Sequence, residues 1–217
     1  MSSLPARDLH DKMVLRTSLT SPFGRKVRMA AIVLGLGDRC DIEHASTMDA
    51  DDTVRTQNPL GKIPCLVLSD GTSIYDSRTI IEYLCDIAGP NSLFPTSPSG
   101  LAAERTQVVL ADGVADAALL MVYEGRFRPA VAAHQSQGWL EHQRGKIMRA
   151  LTRIEAQPPR FDPVSAAGIS LACALGYLDW RRPVEWRNGF PGIAAWLAHF
   201  NERHPELAAT DNTRDGD

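Results

Sequence analysis

The sequence predicts a chain of two parts, a small α/β unit followed by an all-helical unit. Three observations carry that expectation. Residues 14–88 alternate strand-like and helix-like segments in the order β-α-β, then β-β-α. Residues 89–100 gather Gly89, Pro90, Pro95, Pro98 and Gly100, which is the composition of a linker. Beyond them, apolar residues recur at helical spacing, with no convincing strand.

The apolar run at residues 14–18 reads as a strand. Pro22 then suits the first position of a helix, where its missing N–H costs nothing. Val27, Ala30, Ala31 and Leu34 give that helix one apolar face, and Gly35 and Gly37 end it. Residues 39–45 read as a second strand, so a parallel pair with a right-handed crossover is expected. Residues 46–58 are polar and predict a loop with a short helix. Residues 63–68 and 72–75 flank Ser69-Asp70-Gly71, a hairpin signal. A helix follows from Asp76, with Ile80, Ile81, Leu84, Ile87 and Ala88 on one face.

The second part predicts helices near 101–127, 130–156, 163–181 and 190–204. The segment 163–178 is apolar on nearly every face, as a central helix must be. The expected organisation is a disordered extension at 1–12, a sheet-containing domain at 13–88, a linker at 89–99, a helical domain at 100–208 and a disordered tail at 209–217.

The net charge of −3 gives no electrostatic drive toward nucleic acid or an anionic membrane, so neither is an expected partner. No apolar run approaches the roughly 18 residues of a membrane helix. Residues 1–12 lack the apolar core of a signal peptide, and the expected location is the cytoplasm. The four cysteines, Cys40, Cys65, Cys85 and Cys173, show no C-x-x-C spacing. They predict buried free thiols rather than a metal or redox site. His134 and His142 lie on one expected helix without further ligands, so no metal is expected. His44, His199 and His204 read as surface or satisfied histidines, and Trp139, Trp180, Trp186 and Trp196 as packing residues.

Three segments of the first part can carry chemistry. Thr20 or Ser21 can cap the helix that Pro22 opens. A hydroxyl there also sits where the helix dipole and free N–H groups stabilise an anion such as a thiolate. Pro64, in Asn58-Pro59-Leu60-Gly61-Lys62-Ile63-Pro64, fits either an edge-strand proline or a cis bond to Ile63. Asp76 is a good N-cap. It could also accept from an ammonium group while Ser77 and backbone N–H groups hold a carboxylate.

In order and spacing, these segments resemble the glutathione S-transferase superfamily. Ser-Pro-Phe-x-x-Arg/Lys-Val-Arg matches residues 21–28, Asn-Pro-x-Gly-x-Ile/Val-Pro matches 58–64, and Asp/Glu-Ser opening a helix matches 76–77. Ala111-Asp112-Gly113 with Asp116-Ala117, and the run from Ala172 to Trp180, look like the helical domain of a bacterial YibF-like branch. The resemblance implies a thioredoxin-like N-terminal domain, an all-helical C-terminal domain and a homodimer. It implies a cis Pro64, with the Ile63 backbone pairing to the cysteinyl unit of glutathione. Asp76 and Ser77 would then hold the γ-glutamyl end, and Phe23 would join the glutathione site. Lys62 would face the glycyl carboxylate, with a solvated lysine as the alternative. Ser21 matches the position that handles the sulfur; Thr20 is the second candidate and Ser18 the third.

The activity implied is attack of the glutathione thiolate on a small electrophilic, apolar or peroxide second substrate, with glutathione as co-substrate and no metal. A non-catalytic glutathione-binding scaffold is the alternative, and a thiol–disulfide oxidoreductase ranks last. Asp112 and Asp116 share a helical face, and could line the cleft, a solvated face or a subunit contact. The sequence departs from the family's Ser/Thr-x-x-Asp at the central helix, because Gly168 stands where Asp is usual. Asp162 before Pro163 is expected to cap that helix one turn earlier.

Overall fold

The computed structural model describes residues 12–90, 93–128 and 135–211. The expectations for residues 1–11 and 212–217, and for His134, lie outside the described residues. The chain divides into two compact units, Met1–Asn91 and Ser92–Asp217.

The first unit is a thioredoxin-like mixed sheet with helices. Its elements are β1 (Met13–Thr17), α1 (Pro22–Val33), β2 (Cys40–His44), α2 (Val54–Gln57), β3 (Cys65–Val67), β4 (Ser73–Ile74) and α3 (Ser77–Ala88). The strand order is β2-β1-β3-β4. β1 pairs parallel with β2 across α1, with Met13 opposite Cys40. It pairs antiparallel with β3, with Leu15 opposite Leu66, and β3 and β4 form the expected hairpin. Leu15, Val27, Ala30, Leu66, Ile80 and Leu84 are fully buried, so the predicted faces of α1 and α3 make the core. Gly24 lets α1 lie against β1: a Cβ there would collide with the Thr17 hydroxyl. Gly35, at φ +70°, supplies the left-handed turn that ends α1.

The polar segment 46–58 is tied to the sheet by Arg16, which is buried on β1. Its guanidinium donates to Asp52 Oδ1 at 2.9 Å, Thr53 Oγ1 at 2.7 Å and Gln57 Oε1 at 2.8 Å. Asp52 also accepts from the backbone N–H of Ser46 at 2.6 Å and of Val54 at 2.8 Å.

The second unit is helical: α4 (Pro98–Phe127), α5 (Gln137–Ala156), α6 (Ala166–Arg181), α7 (Pro191–Arg203) and α8 (Pro205–Ala208). α4 begins inside the expected linker, because Ser97 caps it and Pro98 takes its first turn. α6 is buried from Ala166 to Leu178, as its all-round apolar sequence requires, and α4 packs along it. Residues 209–211, assigned by the sequence to a tail, pack back on α8, with Thr210 buried and its hydroxyl donating to Leu207 O at 2.6 Å. No helix of the described residues is long and apolar enough to cross a membrane.

The start of α6 corrects the expectation for Asp162, which pairs with Arg203 at 3.2 Å instead of capping. Ser165 is the cap and accepts from Gly168 N at 3.2 Å. Ala166 N donates to Leu93 O at 3.0 Å, and Ala167 N to the buried carboxylate of Glu104 on α4 at 2.8 Å. The acid missing at position 168 is thus supplied from another helix. Glycine is required there because a Cβ would come within 2.7 Å of Arg160 O. Glu155 treats α7 in the same way, accepting from Gly192 N and Ile193 N, both at 2.7 Å.

Two smaller expectations also change. Cys40 is only half-buried, because β2 is the edge of the sheet, whereas Cys65, Cys85 and Cys173 are buried free thiols. Trp139 is exposed on α5, stacked on His142 with Lys146 over its ring, whereas Trp186 and Trp196 are core residues.

Candidate functional site

Ser21 is the N-cap of α1 and Pro22 the first helical residue. The Ser21 Oγ accepts from Gly24 N at 3.2 Å. A hydroxyl carries one donor and two acceptor sites, so this bond leaves the Ser21 O–H able to donate. The Thr20 and Ser18 hydroxyls face each other at 3.4 Å. Thr20 is therefore beside Ser21 but does not cap the helix. Arg25 and Lys26, in the first two turns of α1, are buried.

Phe23, Lys26 and Asp76 are linked across α1 and α3, which pack together. The Lys26 Nζ lies 5.8 Å from the Phe23 ring centroid, and its charge acts on the Asp76 carboxyl. Asp76 caps α3, accepting from Arg78 N at 3.0 Å and from the Arg78 guanidinium at 3.1 Å. Burial pushes the Asp76 carboxyl up. The hydrogen bonds and charge of Arg78, with Lys26, outweigh this and hold it below the usual carboxylate range. Ser77 is buried at the first position of α3. The caps expected of Ser21 and Asp76 are both present.

The Ile63–Pro64 bond is cis, as expected; Tyr75–Asp76 and Asp162–Pro163 are also cis. Ile63 and Tyr75 pack on one cluster of Ala45, Val54 and Cys65, which brings the loop before β3 to the strand before α3. Asn58 holds that loop from beneath. It is buried, donates from Nδ2 to Lys62 O at 2.8 Å and accepts from Leu60 N at 3.1 Å, while Gly61 turns at φ +60°. The Lys62 side chain is exposed.

Sequence reasoning did not assign Lys26, Arg78 or Asn58 to the site. Asn58 was signalled by its place in the matched motif. Lys26 was hidden because a lysine is almost never fully buried. The thiols are not nucleophiles in waiting: burial pushes both Cys40 and Cys85 up to about 11, and raises Cys65. Among the described residues no cluster of His, Cys, Asp or Glu could hold a metal ion. Asp112 is half-buried and Asp116 exposed on α4, within the second unit.

A mixed sheet with these motifs at two helix N-termini, joined to an all-helical unit, is the architecture of a glutathione S-transferase. The family model of the N-terminal domain matches residues 15–92, and that of the C-terminal domain residues 137–199, so the chain belongs to this family. It is 38% identical over 174 residues to the uncharacterized GST-like protein YibF of Escherichia coli K12, covering 78% of this chain and 84% of that one. A glutathione transferase family member from Pseudomonas fluorescens Pf-5, solved with bound glutathione, is 37% identical with a TM-score of 0.84; 92% of this chain and 98% of that one are covered. A glutathione S-transferase from Methylobacillus flagellatus KT, also with glutathione bound, is 35% identical with a TM-score of 0.80, at the same coverage.

Proposed function

We propose that the protein binds glutathione on its first unit and transfers it to a small electrophile, with Ser21 as the hydroxyl that stabilises the thiolate. The observation that carries this reading is the Ser21 cap. The oxygen accepts from Gly24 N, so the hydroxyl is oriented at the positive end of α1 with its proton left to donate. The helix dipole favours an anion there by about 0.3–1 kcal/mol, and a hydrogen bond to a charged sulfur adds about 1.5–3 kcal/mol. Together they lower the thiol from its free value of about 8.5. The thiol proton passes to solvent. The sulfur attacks the electrophilic carbon, a C–S bond forms, and the leaving group departs with its bonding electron pair.

Asp76 takes the γ-glutamyl ammonium in this reading, Ser77 its carboxylate and the Ile63 backbone the cysteinyl unit; Phe23 and Pro64 shape the site. The glutathione held by the two solved relatives supports glutathione as the ligand. A disulfide-exchange reading is disfavoured by the raised thiols of Cys40 and Cys85.

The test is thiolate absorbance of the glutathione complex against pH, with conjugation of 1-chloro-2,4-dinitrobenzene followed in parallel. Ser21→Ala should raise the bound thiol's pKa and slow conjugation, and Thr20→Ala should do neither. The reverse pattern would move the role to Thr20, and binding without conjugation would support the scaffold alternative. We also propose a cytoplasmic homodimer, since closed two-fold assemblies are the commonest; sedimentation at the mass of one chain would refute the dimer.

A further inference from the structure

The loop 58–64 is held at both ends by one residue of β1. Arg16 is paired with Cys65 in the antiparallel ladder of β1 and β3, so its backbone fixes the chain immediately after Pro64. Its side chain reaches the segment that leads into the loop. Nη1 donates to Gln57 Oε1 at 2.8 Å, one residue before Asn58, and to Thr53 Oγ1 at 2.7 Å. Nη2 donates to Asp52 Oδ1 at 2.9 Å. From there the bonds run on into the loop. Asn58 N donates to Val54 O at 2.7 Å, Gly61 N to Asn58 O at 2.8 Å, and Asn58 Nδ2 to Lys62 O at 2.8 Å. The Lys62 carbonyl belongs to the planar peptide unit that carries the Ile63 N–H, so a bond to one orients the other.

Stability alone does not account for a guanidinium here. The Arg16 side chain is only 5% exposed, and burying its charge costs free energy that an apolar side chain would not. Asp52 at 2.9 Å and Glu43 at 3.4 Å answer the charge. The bonds to Thr53 and Gln57 are not needed for that neutralisation. They fix where α2 ends, and hence where Asn58 begins the loop. A planar fork of several donors can reach these separate acceptors, whereas a single ammonium cannot.

We propose that Arg16 is a positioning residue for glutathione: it clamps both ends of the loop 58–64 and so sets the Ile63 peptide that pairs with the cysteinyl unit. This rests on the glutathione-binding reading, and Arg16 acts through the loop rather than on the ligand.

The experiment is calorimetric titration of the whole chain with glutathione, with urea unfolding of the same proteins. Arg16→Met should weaken glutathione binding about tenfold, and Arg16→Lys should recover only part of the loss. Gln57 is half-buried, so Gln57→Ala keeps the test open if Arg16→Met does not fold. It should weaken binding about threefold with an unfolding midpoint near wild type. Combined with Asn58→Ala, it should cost no more than Asn58→Ala alone, because both act through one loop. Combined with Ser77→Ala, the two losses should multiply, because Ser77 holds the other end of the ligand. Wild-type affinity in Gln57→Ala, losses that multiply with Asn58→Ala, or losses that fail to multiply with Ser77→Ala would each overturn the proposal. Wild-type protein that binds no glutathione would overturn the glutathione reading and this proposal with it; binding that the variants leave unchanged would overturn this proposal alone.

Discussion

The helices that open the proposed site and the two helices α6 and α7 of the second unit are closed in different ways at their N-termini. In the first unit, α1 and α3 are capped by their own flanking residues, Ser21 and Asp76. In the second, α4 and α5 are likewise capped locally by Ser97 and Ser136, but α6 adds to its own Ser165 cap the carboxylate of Glu104 from α4, and α7 is closed by Glu155 from α5. Every helix start presents partial positive charge and unpaired N–H groups. At α6 and α7 an internal acid answers that charge, so the helix start contributes to packing. In the sheet unit a short local cap answers only part of it, and the proposed glutathione carboxylate and sulfur answer the rest. On that proposal, the same dipole supports stability in one unit and ligand binding in the other.

The sharpest way to break this contrast is to exchange the consequences. Glu104→Ala should cost about 3 kcal/mol in urea unfolding, because a buried N–H loses a charged partner. Glu104→Gln, which keeps an acceptor, should cost about 1 kcal/mol. Glutathione affinity of the folded protein should not change in either. If Glu104→Ala unfolds at the wild-type midpoint, the imported acid is not what holds α6. Ser77→Ala should do the opposite. Glutathione affinity by calorimetry should fall by about 1–3 kcal/mol while the unfolding midpoint stays near wild type. Unchanged affinity would remove Ser77 from the site.

The first unit was far more legible than the second's connections. Ser21, Pro22, Asp76 and the Asp70-Gly71 turn act within a few residues of themselves, so local chemistry revealed α1, α3 and the hairpin. Glu104 lies 63 residues from its partner Ala167, and nothing local marks it as a cap. The sequence therefore showed only that Gly168 replaced the usual acid, and pointed wrongly to Asp162. Arg16 was silent for the same reason: its partners Asp52, Thr53 and Gln57 come together only when β1 and the 46–57 segment fold. Burial of Lys26 could not be read at all, since its position on α1 looks like any helical lysine.

Asp52 gives a smaller, pH-resolved test within the sheet unit. Bonds from Ser46 N and Val54 N, helped by Arg16, hold its carboxyl below the usual range although burial opposes them. An unfolded aspartate titrates at about 3.9. Above that value both states are ionised and the stabilisation is complete. As pH falls through the unfolded and then the folded pKa, the unfolded chain takes up the proton first and the contribution is lost. Asp52→Asn should therefore cost about 1–2 kcal/mol at neutral pH, and the gap to wild type should narrow in urea titrations at pH 5, 4 and 3. A gap that is constant with pH would show that shape rather than charge holds the segment.

The smallest effect on stability, and the most discriminating for Ser21, separates its two roles. As a cap, the hydroxyl can be replaced by glycine at a cost of a few tenths of a kcal/mol, whereas alanine costs about 1 kcal/mol. Capping alone therefore predicts that Ser21→Gly stays near wild type in stability and that Ser21→Ala does not. The sulfur role predicts something else, because both substitutions delete the donor. The bound thiol's pKa should rise by the same amount in each, roughly one to two units for a bond of about 1.5–3 kcal/mol to a charged atom. Urea unfolding and thiolate absorbance on the same three proteins read the two roles separately. If the pKa follows the cap, moving in Ser21→Ala and not in Ser21→Gly, the dipole of an intact α1 activates the sulfur and the hydroxyl only holds the helix start. If both variants shift together while only Ser21→Ala loses stability, one oxygen performs both tasks, accepting from Gly24 and donating to the thiolate.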